Sequence, residues 1–456
     1  MEKREKFSSR LGFILISAGC AVGLGNVWRF PYIVGKYGGA IFVLIYLVFL
    51  AMLAMPILVM EFAVGRASMK SSTKSFLELE PKGTKWHIHG YVSVAGNYLL
   101  LMFYTTVGGW MMAYVFKALS GGLEGLTVGQ SEIIFEEMLS RPVYMTVWML
   151  VISLLSFGVC SLGLQKGVER ITKVMMGSLF VIIGVLCVRS VTLPNAAEGL
   201  SFYLVPNVEH IREQGLANVV FAAMSQAFFT LSIGMGSMSI FGSYIDKERS
   251  LTGETISISV LDLMVALLAG MIIFPACSAF GVDPGEGPGL VFITLPNIFN
   301  KMPFGRLWET LFFVFMTFAA MSTIIAVFEN IICMMCDMLG WSRKKSVIIN
   351  GIALLVLSVP CVLGFNVWSG VQPLGDGSTI QDLEDFIVSY NILPLGSLVY
   401  LLFCTTRYGW GWDNFIAEAD SGKGIKFPKK LRFYCTYVLP IVIFVVFIIG
   451  YKQKFF

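Results

Sequence analysis

Charge is scarce in this sequence. Only 14% of its 456 residues are Asp, Glu, Lys or Arg, where a soluble domain carries roughly 25%. Histidine is scarcer still, with three in the chain. The loops hold no serine–histidine or metal-ligand constellation, so acyl or glycosyl transfer has no catalytic cluster to use and the reading is of a protein that is not an enzyme. Long polar stretches are missing as well, which leaves nothing to fold as a separate catalytic or nucleic-acid-binding domain. The nine cysteines lie mostly in apolar runs, a placement that argues against a disulfide framework. Cys333 and Cys336 form a CxxC, but it sits in a helical apolar run without metal partners nearby. His87 and His89 flank the entry to another apolar run and are expected at a membrane interface. What the chain has in abundance is apolar surface: hydrophobic residues make up 56% of it and the mean hydropathy is +0.76. It reads as an integral membrane protein with lipid around it.

A window of about 19 residues marks eleven spans. They lie near 11–35, 40–67, 87–119, 143–161, 166–190, 216–245, 252–281, 304–338, 345–364, 384–405 and 433–451. Alternate connections differ in charge. One set carries Lys3, Arg4, Lys6 and Arg10, then Arg66, Lys70, Lys74, Lys82 and Lys85, then Lys166, Arg170 and Lys173. It continues with Arg343, Lys344 and Lys345 and with Lys423, Lys426, Lys429, Lys430 and Arg432. The other set is mostly acidic, as from Glu124 to Glu137 and from Glu198 to Glu213. Because basic connections stay inside, the N-terminus is expected in the cytoplasm and, after eleven spans, the C-terminus outside. Lys452 and Lys454 run mildly against that orientation. The N-terminal segment is too charged and too broken by glycine to read as a cleavable signal peptide.

The first apolar run contradicts a plain membrane helix. Gly19-Cys-Ala-Val-Gly-Leu-Gly-Asn-Val-Trp-Arg-Phe-Pro31 places glycines and a proline where a helix in lipid must satisfy its own backbone. Asn26 and Arg29 are costly at that depth unless they face protein or water. A second interruption, Thr230-Leu-Ser-Ile-Gly-Met-Gly236, falls in the sixth span. If spans one to five and six to ten are two halves, the interruptions correspond, and paired broken spans point to an inverted-repeat transporter with its site at the midplane. The expected organisation is one transmembrane unit over 1–456, with five-helix repeats at 11–190 and 216–405 and an extra helix at 433–451.

These stretches, with Tyr104, Gln226-Ala-Phe-Phe-Thr-Leu-Ser-Ile-Gly-Met-Gly236 and Phe318-Ala-Ala-Met-Ser-Thr323, resemble the signature of the neurotransmitter:sodium symporter family. The resemblance runs over essentially the whole chain. It implies the all-α leucine-transporter fold, a 5+5 inverted repeat, here with about eleven helices where most members have twelve. Within the family the chain resembles bacterial transporters of tyrosine and other aromatic or apolar amino acids, which implies a bacterial plasma membrane.

Matched residue by residue, the resemblance implies two sodium ions. One would meet Ala21, Asn26, Thr230, Asp262 and the substrate carboxylate. The other would meet carbonyls of Gly19, Val22 and Ala319 with the hydroxyls of Ser322 and Thr323. A dehydrated sodium ion wants about five or six oxygens, by the hard-ligand logic of other oxygen-bound cations, and unwound carbonyls supply them. Gly23 stands where monoamine carriers of the family have aspartate, so the substrate is expected to bring its own carboxylate to sodium, the amides near Gly25 and the Tyr104 hydroxyl. Its ammonium would meet carbonyls of Ala21, Phe229 and Thr230 and also Ser232, and its side chain Leu100, Tyr104, Phe229, Met235, Thr323 and Val327. Gates would pair Arg29 with Asp385 outside and Arg4 with Asp337 inside, with Ser243 and Tyr244 nearby. In span five, Gly167 is followed ten residues later by Gly177, where relatives often have proline and the helix unwinds towards the inner sodium site.

Asp262 sits in the apolar run Ser259-Val-Leu-Asp-Leu-Met-Val-Ala266, where an ionised group needs a partner. Many relatives carry asparagine there and use chloride. A fixed charge at Asp262, with Tyr46 and Gln226 beside it, implies chloride-independent transport and, once sodium leaves, proton counter-transport. The expected function is thus sodium-coupled amino-acid uptake by alternating access, with membrane lipid around it and no nucleic acid or obligate protein partner. An amino-acid-gated sensor or channel-like protein on the same scaffold is the alternative, separated by substrate-independent conductance.

Overall fold

The computed structural model describes residues 7–207, 214–281 and 289–455. These residues form helices and connections, with a single isolated bridge between Arg249 and Lys423 in place of any sheet. Among them, nine unbroken helices are long and apolar enough to cross a membrane. They are Ala40–Ser68 (span two), Ile88–Leu119 (three), Pro142–Ser161 (four), Leu164–Val191 (five), Leu251–Phe280 (seven), Gly305–Leu339 (eight), Arg343–Leu363 (nine), Ile380–Thr405 (ten) and Lys429–Lys452 (eleven). Span one is a pair, Arg10–Ala21 and Gly25–Lys36, bent by 55°. Span six is split into Leu216–Thr230 and Ser237–Gly242. The spans therefore stand where the apolar runs put them, and the two broken ones are those whose glycines forbid an unbroken helix.

Proline writes a second pattern into the backbone. Five π-helical turns, Gly25–Arg29, Leu50–Ala54, Leu290–Thr294, Phe386–Ile392 and Tyr434–Val438, each end two residues before a proline. A proline ring has no N–H to give and collides with the carbonyl four residues back, so the preceding turn widens instead of breaking. A sixth such turn, Leu164–Glu169, follows Gly163 at the start of span five. Gly177 lies in unbroken helix.

Burial ranks the spans. In spans three and eight, 78% of the apolar stretch is buried, against 28% in span eleven. Spans three and eight are thus the centre of the bundle and span eleven its rim. Span one lies against spans five, seven and eight, and both halves of span six against span two. The connections add short helices that hydropathy alone does not mark, among them Ser72–Leu79, Val128–Ser140, Ala196–Leu204 and Trp412–Ala419.

Candidate ion and substrate site

At Val22 the backbone leaves the helix (ψ 97°) and re-enters it near Gly25. The side chain that follows, Asn26, is fully buried and connects three spans. Its Oδ1 accepts from the Gly23 N–H at 3.3 Å, and its Nδ2 donates to Asp262 Oδ1 at 2.8 Å and to the Asp262 carbonyl at 3.1 Å. Thr230 Oγ1 donates to the other carboxylate oxygen, Asp262 Oδ2, at 2.8 Å and lies 3.3 Å from Asn26 Nδ2. Asn26, Thr230 and Asp262 thus form one cluster inside the bundle, with each oxygen of the carboxylate occupied by a donor. Gln226 donates to the Gly25 carbonyl at 3.2 Å. The Tyr46 hydroxyl is buried beside Thr230 without completing a hydrogen bond.

A second group of oxygens gathers where span eight meets the first break. Ser322 Oγ lies 3.4 Å from the Val22 carbonyl and 3.0 Å from the Ala319 carbonyl. Thr323 Oγ1 lies 3.4 Å from the carbonyls of both Gly19 and Ala319. Most of these separations are long for O–H···O bonds, which cluster near 2.7–2.8 Å. They suit the edges of an oxygen shell instead: ligands about 2.3–2.6 Å from a hard cation stand roughly 3.3–3.7 Å from one another in an octahedron. All five expected oxygens, from Gly19, Val22, Ala319, Ser322 and Thr323, are in this group.

Beside these clusters is a small cavity lined by Ala21, Gly23, Gly25, Leu100, Tyr104, Phe229, Ser232, Met235 and Thr323, with Cys20, Val388 and Leu393. Its volume is about 20 Å³, room for one or two waters at the usual ~10–15 Å³ each. Two expected residues do not line it. Thr230 turns its hydroxyl to Asp262, and Val327 is fully buried outside the lining. The Leu24 N–H donates to the Tyr104 hydroxyl at 2.7 Å. A Cβ on Gly23 would collide with that hydroxyl and stand 2.8 Å from Thr323 Oγ1, and a Cβ on Gly25 would stand 2.6 Å from the Phe229 ring. At both positions a side chain would have to push a neighbouring side chain aside.

The gate residues are placed unevenly. Arg29 is not ion-paired to Asp385. Its guanidinium lies over the Phe229 ring, 4.3 Å from the centroid, while Asp385 Oδ1 accepts from Ser389 Oγ at 2.6 Å. A planar, weakly hydrated guanidinium stacks well on an aromatic face, so in this arrangement the ring takes the partner's place. Arg4 lies outside the described residues. Asp337 Oδ2 accepts from the Ser71 N–H at 2.6 Å, and Ser243 donates back to the Ile240 carbonyl at 2.6 Å. Tyr244 reaches Glu329 Oε1 at 3.3 Å and Cys333 Sγ. Glu329 is fully buried and takes both Arg343 nitrogens, at 2.5 and 2.8 Å.

Sequence reasoning passes over one polar residue at the second break and misplaces another. Glu61 is fully buried in span two and accepts from the N–H groups of Gly234, Met238 and Ser239 at 2.8, 3.1 and 3.4 Å. The argument applied to Asp262, a carboxylate in an apolar run, would have found it. His89 is a correction: it is buried rather than interfacial, and its Nε2 donates to the Gly234 carbonyl at 3.1 Å. Helix Ser72–Leu79 and span ten cover it, with Phe76 and Tyr400 edge-on to the imidazole.

Comparison with known proteins agrees with this architecture. The model of the Sodium:neurotransmitter symporter family matches residues 4–131 and 135–454. The chain is similar to the uncharacterized sodium-dependent transporter YhdH of Bacillus subtilis (strain 168), at 35% identity over 98% of both chains. An uncharacterized sodium-dependent transporter of Haemophilus influenzae is 32% identical, again over 98% of each. The crystal structure of MhsT in complex with L-phenylalanine superposes with a TM-score of 0.87 at 37% identity, covering 98% of this chain and 99% of that one.

Proposed function

The chain belongs to the sodium:neurotransmitter symporter family and has the leucine-transporter fold, and from that premise we propose that this sodium-dependent transporter carries an apolar or aromatic L-amino acid into the cell together with sodium. It works by alternating access, without chloride and with a proton leaving as the substrate enters. The observation that carries the substrate class is Gly23. A Cβ built on it would collide with the Tyr104 hydroxyl and stand 2.8 Å from Thr323 Oγ1, so a side chain there would have to displace both. The protein therefore has no carboxylate at that position to pair an amine, and the substrate supplies its own. The rest of the lining, Leu100, Phe229, Met235, Val388 and Leu393, carries no charge with which to select an acidic or basic side chain. The phenylalanine in the MhsT structure supports the same class.

In this reading the Asn26–Thr230–Asp262 cluster, with Ala21, holds one sodium ion beside the substrate carboxylate, and the oxygens of Gly19, Val22, Ala319, Ser322 and Thr323 hold a second. Asp262 supplies the negative charge that offsets them, with Tyr46 and Gln226 at its side. In an outward-closed arrangement Arg29 would leave the Phe229 ring to pair with Asp385, and Arg4 with Asp337 would close the inner path in the opposite one. The two repeats run over 11–190 and 216–405, with the basic connections and the N-terminus on the cytoplasmic side of a bacterial plasma membrane. The test is equilibrium binding of radiolabelled amino acids to purified protein with sodium or with potassium. Binding of phenylalanine, tyrosine, tryptophan or leucine in sodium alone supports the proposal, and preferential binding of amines lacking a carboxylate would refute it.

A further inference from the structure

The second break is fastened by span three. His89 Nε2 donates to the Gly234 carbonyl at 3.1 Å, and Asn97 Nδ2 donates to the Met235 carbonyl at 3.0 Å. The two residues are eight apart, just over two turns, so they project from one face of the helix. Asn97 Oδ1 also accepts from Ser237 Oγ at 3.2 Å. The same stretch is gripped elsewhere, since Glu61 takes the Gly234 N–H at 2.8 Å. Span ten presses on it too: a Cβ on Gly396 would collide with the Gly234 carbonyl, and one on Gly234 would stand 2.7 Å from Ser397 N.

The backbone here needs such holding. Ser232, Gly234 and Gly236 have φ of 50°, 92° and 77°. A serine in the left-handed region persists only where its surroundings over-determine it. Met235, between those glycines, is 1% exposed and is a wall of the substrate cavity. Gly96, next to Asn97 in sequence, packs closely on span ten, where a Cβ would stand 3.0 Å from Ile392 Cγ2, and a Cβ there would lie in ordinary contact with the Met235 sulfur.

We infer that His89 and Asn97 are positioning residues for substrate selection: by holding the carbonyls of Gly234 and Met235 they fix the depth of the Met235 wall and so the side-chain size the pocket accepts. Neither touches the substrate cavity. The inference rests on the amino-acid reading above. Without these donors the two buried carbonyls seek other partners, the break relaxes, and the wall moves. Asn97→Leu, of similar shape, and His89→Phe, which keeps a flat ring, each delete one donor. His89→Gln keeps a side-chain N–H.

The measurement is binding of L-alanine, L-leucine, L-phenylalanine and L-tryptophan to the purified full-length protein at saturating sodium. Asn97→Leu and His89→Phe should change the phenylalanine-to-leucine affinity ratio by tenfold or more. His89→Gln should stay near the parent ratio, and half-saturating sodium should remain within twofold throughout. Should His89→Phe not fold, Asn97→Leu alone decides through the same ratio. An unchanged ratio, or an equal loss for all four amino acids, would mean that the two residues are structural only and would overturn the inference. No sodium-dependent binding of any of the four by the parent protein is a different result, and it would remove the amino-acid reading and this inference together.

Discussion

Gly23 and Asp262 carry the most specific expectations. Gly23→Ala would set a methyl against the Tyr104 hydroxyl and strain the bond that hydroxyl accepts from Leu24 N–H. Overpacking of this kind costs about 1–3 kcal/mol, so amino-acid binding should weaken by roughly 5- to 150-fold. A binding isotherm that matches the parent would contradict the close approach. Asp262 has both carboxylate oxygens engaged, by Asn26 and Thr230. If its fixed charge replaces chloride, uptake by reconstituted protein is unchanged when gluconate substitutes for chloride, while Asp262→Asn loses activity or becomes sensitive to the anion. If it takes a proton when sodium leaves, protons move out as substrate moves in. Vesicles more acidic inside than outside should then take up substrate faster, and Asp262→Asn should abolish that acceleration. A strict chloride requirement in the parent protein would overturn this assignment. Reading the sequence found Asp262 because an acid in an apolar run needs an explanation. It passed over Glu61, in a similar run, whose partners are backbone N–H groups more than 170 positions away and leave no side-chain motif.

The broken helices were legible because glycine and proline inside an apolar run contradict a continuous span in lipid. The widened turns before five prolines follow from the same chemistry, although hydropathy windows smooth them away. The short connecting helices were not legible, since segments such as Ser72–Leu79 gain their order from packing on the spans rather than from length or apolarity. That helix is why His89 was misplaced, since a histidine at the edge of an apolar run reads as interfacial until another element folds over it. The Arg29–Asp385 pair shows a different limit, because the family resemblance implies two partners and not which contact prevails in one conformation. At this scale Glu61 is the anchor of the second break. Glu61→Gln leaves one acceptor oxygen for three buried N–H donors, and an unsatisfied buried donor costs about 1–3 kcal/mol. Thermal unfolding of the purified variant should begin several degrees lower and sodium-dependent binding should be lost. A variant with the parent's melting curve and binding would show that the break holds itself.

Over the whole molecule, the eleven-span arrangement is readable from the apolar runs, and the pairing of the two interruptions points to the inverted repeat. The state of the pathway was not readable. Its walls leave a cavity of about 20 Å³, Arg29 lies over the Phe229 ring, and the N-terminal segment is tied down. There Ser8 gives both its N–H and its hydroxyl to Glu169, at 2.8 and 2.6 Å, while Arg10 pairs with Glu254 at 2.8 Å. About 20 Å³ is too small for an amino acid, so the walls must part for substrate to bind, and coupling depends on sodium deciding which arrangement persists. The central claim is that sodium, held by the oxygens of the two breaks, drives amino-acid uptake. It is tested most directly by uptake of labelled phenylalanine into vesicles containing the purified protein, under an inward sodium gradient, under potassium or choline in its place, and under a proton gradient without sodium. The account predicts uptake with sodium alone, and a half-saturating sodium concentration raised about tenfold or more in Asn26→Ala, equivalent to about 1.4 kcal/mol. Equal uptake in sodium-free buffer driven by the proton gradient would contradict it.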